Sequence, residues 1–535
     1  MQQRKKIFFF SLDFWLSFWP GALLISAIGL SLYFKSIFFQ FVYLDDNSLI
    51  LDNIEFLKNL SNLPQAFLKD VFQADHGLAA YYRPMLTISF MTDAIFSGEN
   101  PLAYHVSNVF IHLIAAVLLW KTLLMLGYKE KISFLLTVIF TVHPTLAQAV
   151  SWVPGRNDSI LTVFILASLI FFLRYFNRGK IFDLIGSLLF FTLALFTKES
   201  AIFMPFFFLL YLWMRKRLNW GQIVLWSVSW FIIFVGWFGL RRIAFAANPM
   251  PFSIKDIFWS LLKNSPAAIQ MLGKTIFPFN LSVLPNIPDT TFIWGFLAIL
   301  LILLFLAWEY NLEKFQQRRS LMFLFGFFWF VIFLAPSFIR PDPNIIADFI
   351  EHRLYLPIIG LIIFFAESAT LNSLNFWRDR NYIFIVLFII FGLGGINFFH
   401  QNNFADRMTF WTNASKNSPS SPLAQRNLGA MYHLDKKLDL AEEYYKKAIK
   451  LNDSEPMAHG NIGLIYASRG SFGPAEREYL KEISINPGYD NAHFNLGLLY
   501  YAINQKDKAE TEWRKTLEIN PDYTDAKEAL KTIGK

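Results

Sequence analysis

Long apolar runs separated by short charged loops fill the first 400 positions of the chain, and a more polar pattern of short helical periods fills the rest. Apolar runs bounded by charges predict helices over 17–37, 103–126, 132–149, 158–176, 181–197, 199–214, 221–240, 291–308, 320–337, 354–370 and 382–399. At about 1.5 Å of rise per residue, roughly 20 such residues cross a hydrocarbon core. About eleven transmembrane helices are therefore predicted. Met1 to Lys6 is basic and leads into the first run without a small-residue cleavage site, so it reads as the cytoplasmic start of an uncleaved helix. Counting from there, the loops holding Lys129 and Lys131, Arg174, Arg178 and Lys180, Arg215, Lys216 and Arg217, Lys314, Arg318 and Arg319, and Arg378 and Arg380 all fall on the cytoplasmic side. That is what the excess of Lys and Arg in cytoplasmic loops requires. Lys198-Glu199 could lie inside one helix from Ile181 to Met214, but two basic loops would then face opposite sides, so a break is predicted there. An odd number of spans puts the C-terminal tail on the far face, a periplasm if the host is bacterial, as the short Phe-rich form suggests, or an endoplasmic-reticulum lumen otherwise.

In the tail, Asn427, Asn461 and Asn495 are 34 residues apart, and so are Gly429, Gly463 and Gly497, Tyr432, Tyr466 and Tyr500, and Ala441, Ala475 and Ala509. This period belongs to tetratricopeptide repeats, each a helix pair closed here by turns such as Asn486-Pro487 and Asn520-Pro521. The small Gly and Ala residues allow the helices to approach, Tyr fills the space between them, and residues 523–535 form a polar capping helix. The expected fold is all-α: a multi-pass membrane bundle over 1–400, a linker over 401–419, and a three-repeat solenoid with its cap over 420–535. The concave face of such a solenoid normally takes peptide or protein.

Composition agrees with this division. With 55% hydrophobic residues, 61 of them Phe, and 16% charged, the chain has too little polar surface for a soluble globule of 535 residues. Cysteine is absent, which removes disulfides and thiolate metal sites from consideration. The net charge of +8 sits beside apolar runs, where membrane topology accounts for it without nucleic acid.

The polar residues segregate by side. The far face collects Asp45-Asp46, Tyr82-Arg83-Pro84, His143-Pro144, the run Trp152 to Asp158, Lys198-Glu199 and Glu351-His352-Arg353-Leu354-Tyr355. Asp45-Asp46-Asn47 is simply read as a helix N-cap before Ser48, yet capping is compatible with general-base work on an acceptor hydroxyl. If both carboxylates faced one site, repulsion would raise one pKa or invite a divalent cation; no recognisable metal-ligand spacing is otherwise present. Arg83, Arg156, Lys198 and Arg353 each read alone as snorkelling cations, but four of them opposite the positive-inside bias suit a lipid-borne phosphate. Asp158, Glu199 and Glu351 either support that site or neutralise the neighbouring cations, and His143 and His352 are equally readable as structural. An acid that activates an acceptor and cations that stabilise a departing phosphate suffice for glycosyl transfer from a polyprenyl phosphate, a single displacement inverting the anomeric centre.

Tyr43-Leu-Asp-Asp46, Tyr82-Arg-Pro84, Asn100-Pro-Leu-Ala-Tyr-His105 with Asn108, Val150 to Asp158, Lys198-Glu-Ser-Ala201, Phe277-Pro-Phe-Asn-Leu-Ser282 and Glu351-His-Arg-Leu-Tyr-Leu-Pro357, followed by the repeats, together resemble the transmembrane and tetratricopeptide-repeat O-mannosyltransferases and their bacterial relatives. The resemblance covers nearly the whole chain. It implies a membrane bundle of the GT-C type, a dolichyl- or polyprenyl-phosphate sugar donor, catalysis by Asp45 or Asp46, and later-loop basic residues on the lipid phosphate. The acceptor would be Ser or Thr of an exported protein presented by the repeats. The chain has only three clear repeats, fewer than the animal members, and nothing in it fixes mannose as the sugar. A lipid-linked glycan ligase or polymerase is the second enzymatic reading, and a membrane-anchored repeat scaffold the non-enzymatic one; eleven spans are excessive for an anchor.

Overall fold

The computed structural model describes residues 17–72, 81–216, 219–245, 253–311, 317–339, 348–373 and 379–533. Met1 to Lys6 and the loop cations Arg217, Lys314 and Arg378 lie outside the described residues. The chain divides into two compact units, Met1–Phe410 and Trp411–Lys535. Among the described residues β pairing is limited to one isolated bridge, Asn286 with Asp348.

The longer helices of the first unit are α1 (Phe18–Tyr33), α2 (Pro84–Ser97), α3 (Leu102–Leu126), α4 (Glu130–Val142), α5 (Arg156–Arg178), α6 (Ile181–Leu195), α7 (Met204–Met214), α8 (Trp220–Ala244), α9 (Ile254–Asn264), α10 (Ala267–Ile276), α11 (Ile293–Asn311), α12 (Gln317–Leu334), α13 (Ile358–Ala366) and α14 (Arg380–His400). A helix occupies each of the eleven predicted positions. Among the described residues seven segments are long and apolar enough to cross a membrane, eight if Glu130–Val142 and Pro144–Ser151, bent by 53° at His143-Pro144, count as one span. The bend follows from Pro144, which cannot continue a helix hydrogen-bond ladder. α6 and α7 are shorter, and the chain breaks at Lys198, as the charge alternation predicts.

α3 is the centre of the bundle, packing on α1, α2, α4 and α5, while α5 pairs with α6 and α12 with α13. Apolar burial gives little drive between helices in lipid, so close packing of small residues matters. Where α12 meets α13 a Cβ on Gly326 would stand 2.5 Å from the Gly360 carbonyl oxygen. Larger gaps are filled by aromatic rings, such as Phe172 stacked on Phe208 at 4.1 Å.

In the second unit the repeat helices pair as α16 (Pro422–Leu434) with α17 (Leu438–Leu451), α18 (Ala458–Ser468) with α19 (Phe472–Ile485), and α20 (Asp490–Ala502) with α21 (Lys506–Ile519), and α22 (Thr524–Ile533) packs on α21. The ring against each repeat glycine comes from the second helix: Tyr445 on Gly429, Tyr479 on Gly463 and Trp513 on Gly497. These too recur every 34 residues, and they correct the expectation that Tyr432, Tyr466 and Tyr500 fill that space. Instead Tyr466 and Tyr500 hydrogen-bond Glu442 and Glu476 of the preceding repeat. The segment 401–419, expected to be a linker, consists largely of a 3-10 turn, Gln401–Phe404, and α15, Arg407–Asn417.

Candidate active site

At one end of the membrane unit a cleft of about 180 Å³ is lined by Asp45, Arg83, Lys198, Glu199, His352 and Arg353. Six residues singled out by sequence, spread over more than 300 positions, thus converge. Trp152, Asn157, Tyr81, Ser200, Pro336, Ser337 and Ile339 complete much of the wall.

Asp45 is placed by the loop between α1 and α2. Tyr43 adopts φ 60, the left-handed region costly for a non-glycine residue, and its ring lies 5.4 Å from the Arg407 guanidinium. The turn that follows leaves Asp45 half-buried on the cleft and Asp46 fully buried behind it. Asp46 accepts from the Trp152 indole at 3.3 Å and the Leu44 amide at 3.4 Å. The two carboxylates therefore do not converge on one ligand. Burial, then the neighbouring charges of Asp46 and Asp348, push the Asp45 carboxyl up to about 7, while Arg83 and Arg353 oppose the rise. Burial likewise raises Asp46, to about 6, against the Trp152 hydrogen bond. A carboxylate that titrates near neutrality suits a general base.

Arg83 stands just before Pro84, which opens α2; its guanidinium lies 4.2 Å from the Tyr81 ring centre. The Asn157 carboxamide, turned so that both its ends are satisfied, accepts from Arg83 Nη1 at 3.2 Å and donates to the Thr197 carbonyl at 2.9 Å. Lys198 Nζ donates to both oxygens of Asp158 at 2.8 Å, and His352 Nε2 lies 3.5 Å from Asp158 Oδ2. Asp158 is thus the orienting partner of Lys198 rather than part of the wall. Arg353 donates to the Asp348 carbonyl at 3.1 Å and lies 3.5 Å from its carboxylate. Glu199 accepts from the Tyr82 amide at 3.3 Å. His352 is held by its own amide donating to Gln148 Oε1 at 3.2 Å and by its ring beside Trp152.

Three of the residues singled out by sequence lie away from the cleft, and only for Arg156 does this correct the expected role. Arg156 does not reach the cleft: it is fully buried, donating to Asn108 Oδ1 and to the Tyr104 carbonyl at 2.6 Å each and pairing with Asp93. Asn108 also donates to the carbonyls of Val150 and Trp152 at 3.1 Å, so this network fixes the loop that carries Trp152. His143 is buried between Thr145 Oγ1 at 2.8 Å and the Thr275 carbonyl at 2.9 Å. Glu351 is buried behind the site against Lys274 at 2.7 Å, His400 at 3.0 Å and the Ser282 amide at 2.9 Å. Burial alone would raise its carboxyl, but the charges of Lys274 and His400 bring it down to about 2. It ties the loop before α13 to α10 and α14. The sequence reading missed Lys274, Asp93 and Asp348, whose partners are remote or lie in loops whose pairing no periodicity announces. Among the described residues no group of three or more His, Asp or Glu is arranged to hold a metal.

Residues 52–258 match the family described as dolichyl-phosphate-mannose-protein mannosyltransferase, and 427–455 and 490–523 match tetratricopeptide repeats. The first match includes Arg83, Asn157 and Lys198 of the cleft, while Asp45 and Arg353 lie outside it. Among curated proteins, the chain is 31% identical over 159 residues to protein O-mannosyl-transferase TMTC3 of Homo sapiens, covering 28% of this chain and 16% of that one. It is 31% identical to TMTC2 of Mus musculus over 161 residues, 28% and 18% of the two chains. Against Tmtc1 of Drosophila melanogaster it is 29% identical over 179 residues, 33% and 21% of the two chains. The matched stretch thus spans about a fifth or less of these relatives. The chain thus joins a segment, residues 52–258, that matches the dolichyl-phosphate-mannose-protein mannosyltransferase family to segments that match tetratricopeptide repeats, and the curated proteins it is similar to are protein O-mannosyl-transferases.

Proposed function

We propose that this protein is a membrane glycosyltransferase that moves a hexose, mannose first among the candidates, from a polyprenyl or dolichyl phosphate to a Ser or Thr hydroxyl of an exported protein. The observation that carries this reading is the cleft itself, where one carboxylate raised toward neutrality faces Arg83, Lys198 and Arg353. Asp45 takes the acceptor proton as the hydroxyl oxygen attacks the anomeric carbon. The C–O bond to the donor phosphate breaks on the opposite side, so the anomeric centre inverts, and the departing phosphate receives the cations' charge. A phosphate leaves without a general acid, so one base suffices. Asp46 is a positioning residue, fixing the Asp45 turn through Trp152. The repeats bind the acceptor chain, and the host membrane is a bacterial inner membrane with the cleft on its periplasmic face.

The test uses membranes from cells making wild-type, Asp45→Asn or Asp46→Asn protein, supplied with radiolabelled polyprenyl-phosphate mannose and a Ser/Thr-rich peptide. Label enters the peptide with wild type and not with Asp45→Asn if the reading holds. Undiminished transfer by both variants overturns the mechanism, and no transfer by wild type with mannose or other hexose donors favours a scaffold.

A further inference from the structure

α9 is an eleven-residue helix with two contrasting faces. It starts at a capping box in which Ser253 and Asp256 satisfy each other's backbone amides. On one face Ser260 Oγ and Asn264 Nδ2 donate to the Phe338 carbonyl at 3.1 and 3.0 Å, and Leu261 packs on the cluster of Met271, Phe330 and Phe338. On the other face Phe258, Trp259 and Leu262 are 60%, 55% and 55% exposed, with Lys255 and Lys263 beside them. Three large apolar side chains on one short helix form a face that water disfavours by ~25 cal/mol per Å².

The fold fixes the depth of that face. Phe338 ends the apolar span Leu321–Phe338, so the hydrogen bonds to its carbonyl hold α9 where a membrane-crossing segment ends. The lipid-facing surface of α8, with Phe231, Ile232 and Phe238 more than half exposed, precedes α9 in the chain. Aromatic residues with flanking lysines at such a level favour the headgroup layer, where rings meet acyl chains and ammonium groups stay in water.

We propose that α9 is an interfacial helix whose Phe258, Trp259 and Leu262 insert into the lipid leaflet on the cleft side of the membrane. Its packed face holds the segment after α12, and Pro336, Ser337 and Ile339 of that segment line the cleft. That part of the cleft wall is thereby set near the lipid surface. This inference concerns location and stands whether or not the chain transfers a sugar.

The absence of cysteine allows single labels without background. Full-length Phe258→Cys and Leu262→Cys, labelled with bimane and reconstituted in phosphatidylcholine/phosphatidylglycerol vesicles, are compared with Glu528→Cys in the repeats and Phe388→Cys on α14. Shallow spin-labelled lipid should quench positions 258 and 262 strongly, and aqueous iodide should quench them several-fold less than position 528. Iodide quenching equal to that at 528, with no response to spin-labelled lipid, overturns the proposal. Position 388 reports whether each preparation is inserted, and all four sites are exposed, so the labels displace no core.

Discussion

Asp45→Asn separates what the cleft does from what it costs. In the folded protein Asp45 titrates near 7 against an ordinary 3.8. The folded state therefore binds the proton more tightly than the unfolded state does, and ionisation works against folding between those two values. The sign is opposite to that of a salt-bridged carboxylate: stability attributable to this group is full at low pH and is lost as pH rises from 3.8 to about 7. At about 1.36 kcal/mol per pH unit, the loss has a ceiling of about 4 kcal/mol, with about 2–3 kcal/mol of it falling between pH 5 and pH 8. Asparagine keeps the shape and cannot ionise. The variant should therefore gain thermal stability over wild type at pH 8, and much less at pH 5, while losing roughly 10²–10⁴-fold in transfer rate as a general base is removed. Intrinsic tryptophan fluorescence of the detergent-solubilised protein gives both melting midpoints, and the membrane assay gives the rate. A stability gap equal at pH 5 and pH 8, or transfer within a few-fold of wild type, would refute the reasoning.

Replacing Arg353 or Lys198 by Gln or Met should raise KM for the lipid donor by roughly 10–100-fold, the scale of a lost charge-assisted hydrogen bond; an unchanged KM would remove that residue from phosphate binding. Asp93→Asn and Arg156→Leu should each destabilise by about 3–5 kcal/mol, because each leaves a buried polar partner unpaired. Melting midpoints check this, and a normal midpoint with a raised donor KM would return Arg156 to the phosphate. Because Asp46 turns toward Trp152 and away from the cleft, EDTA should leave transfer unchanged; loss restored by Mg²⁺ or Mn²⁺ would place a cation at Asp45.

Much of the fold is legible in the sequence because lipid leaves few alternatives: every backbone group must be satisfied within a helix, so the apolar runs read as helices. The loop charges then order the faces, which is why the break at Lys198 was predictable although Ile181 to Met214 is nearly continuously apolar. The repeats are legible from their spacing, yet that spacing did not say which ring meets the glycine. Tyr432 and Tyr445 are both aromatic, and only helix packing selects the latter. The same limit applies to the site. Sequence brought the cations to one face but could not distinguish Lys198, which lines the cleft while paired with Asp158, from Arg156, saturated inside by Asn108, Tyr104 and Asp93. The partners that each side chain meets in the folded bundle decide that difference. Motif residues therefore divide into those that meet the cleft and those, such as Asn108 and Glu351, that hold its loops.

The central claim, that Asp45 is the base and is tuned by charges around it, is tested most directly by the pH dependence of transfer at subsaturating acceptor. The wild-type rate should rise about tenfold per pH unit below 7 and level off above it. Arg353→Gln should move the half-maximal pH upward and Asp348→Asn downward, since Arg353 lowers the Asp45 pKa and Asp348 raises it. A rate flat from pH 5 to pH 8, or a midpoint unmoved by either substitution, would contradict the account.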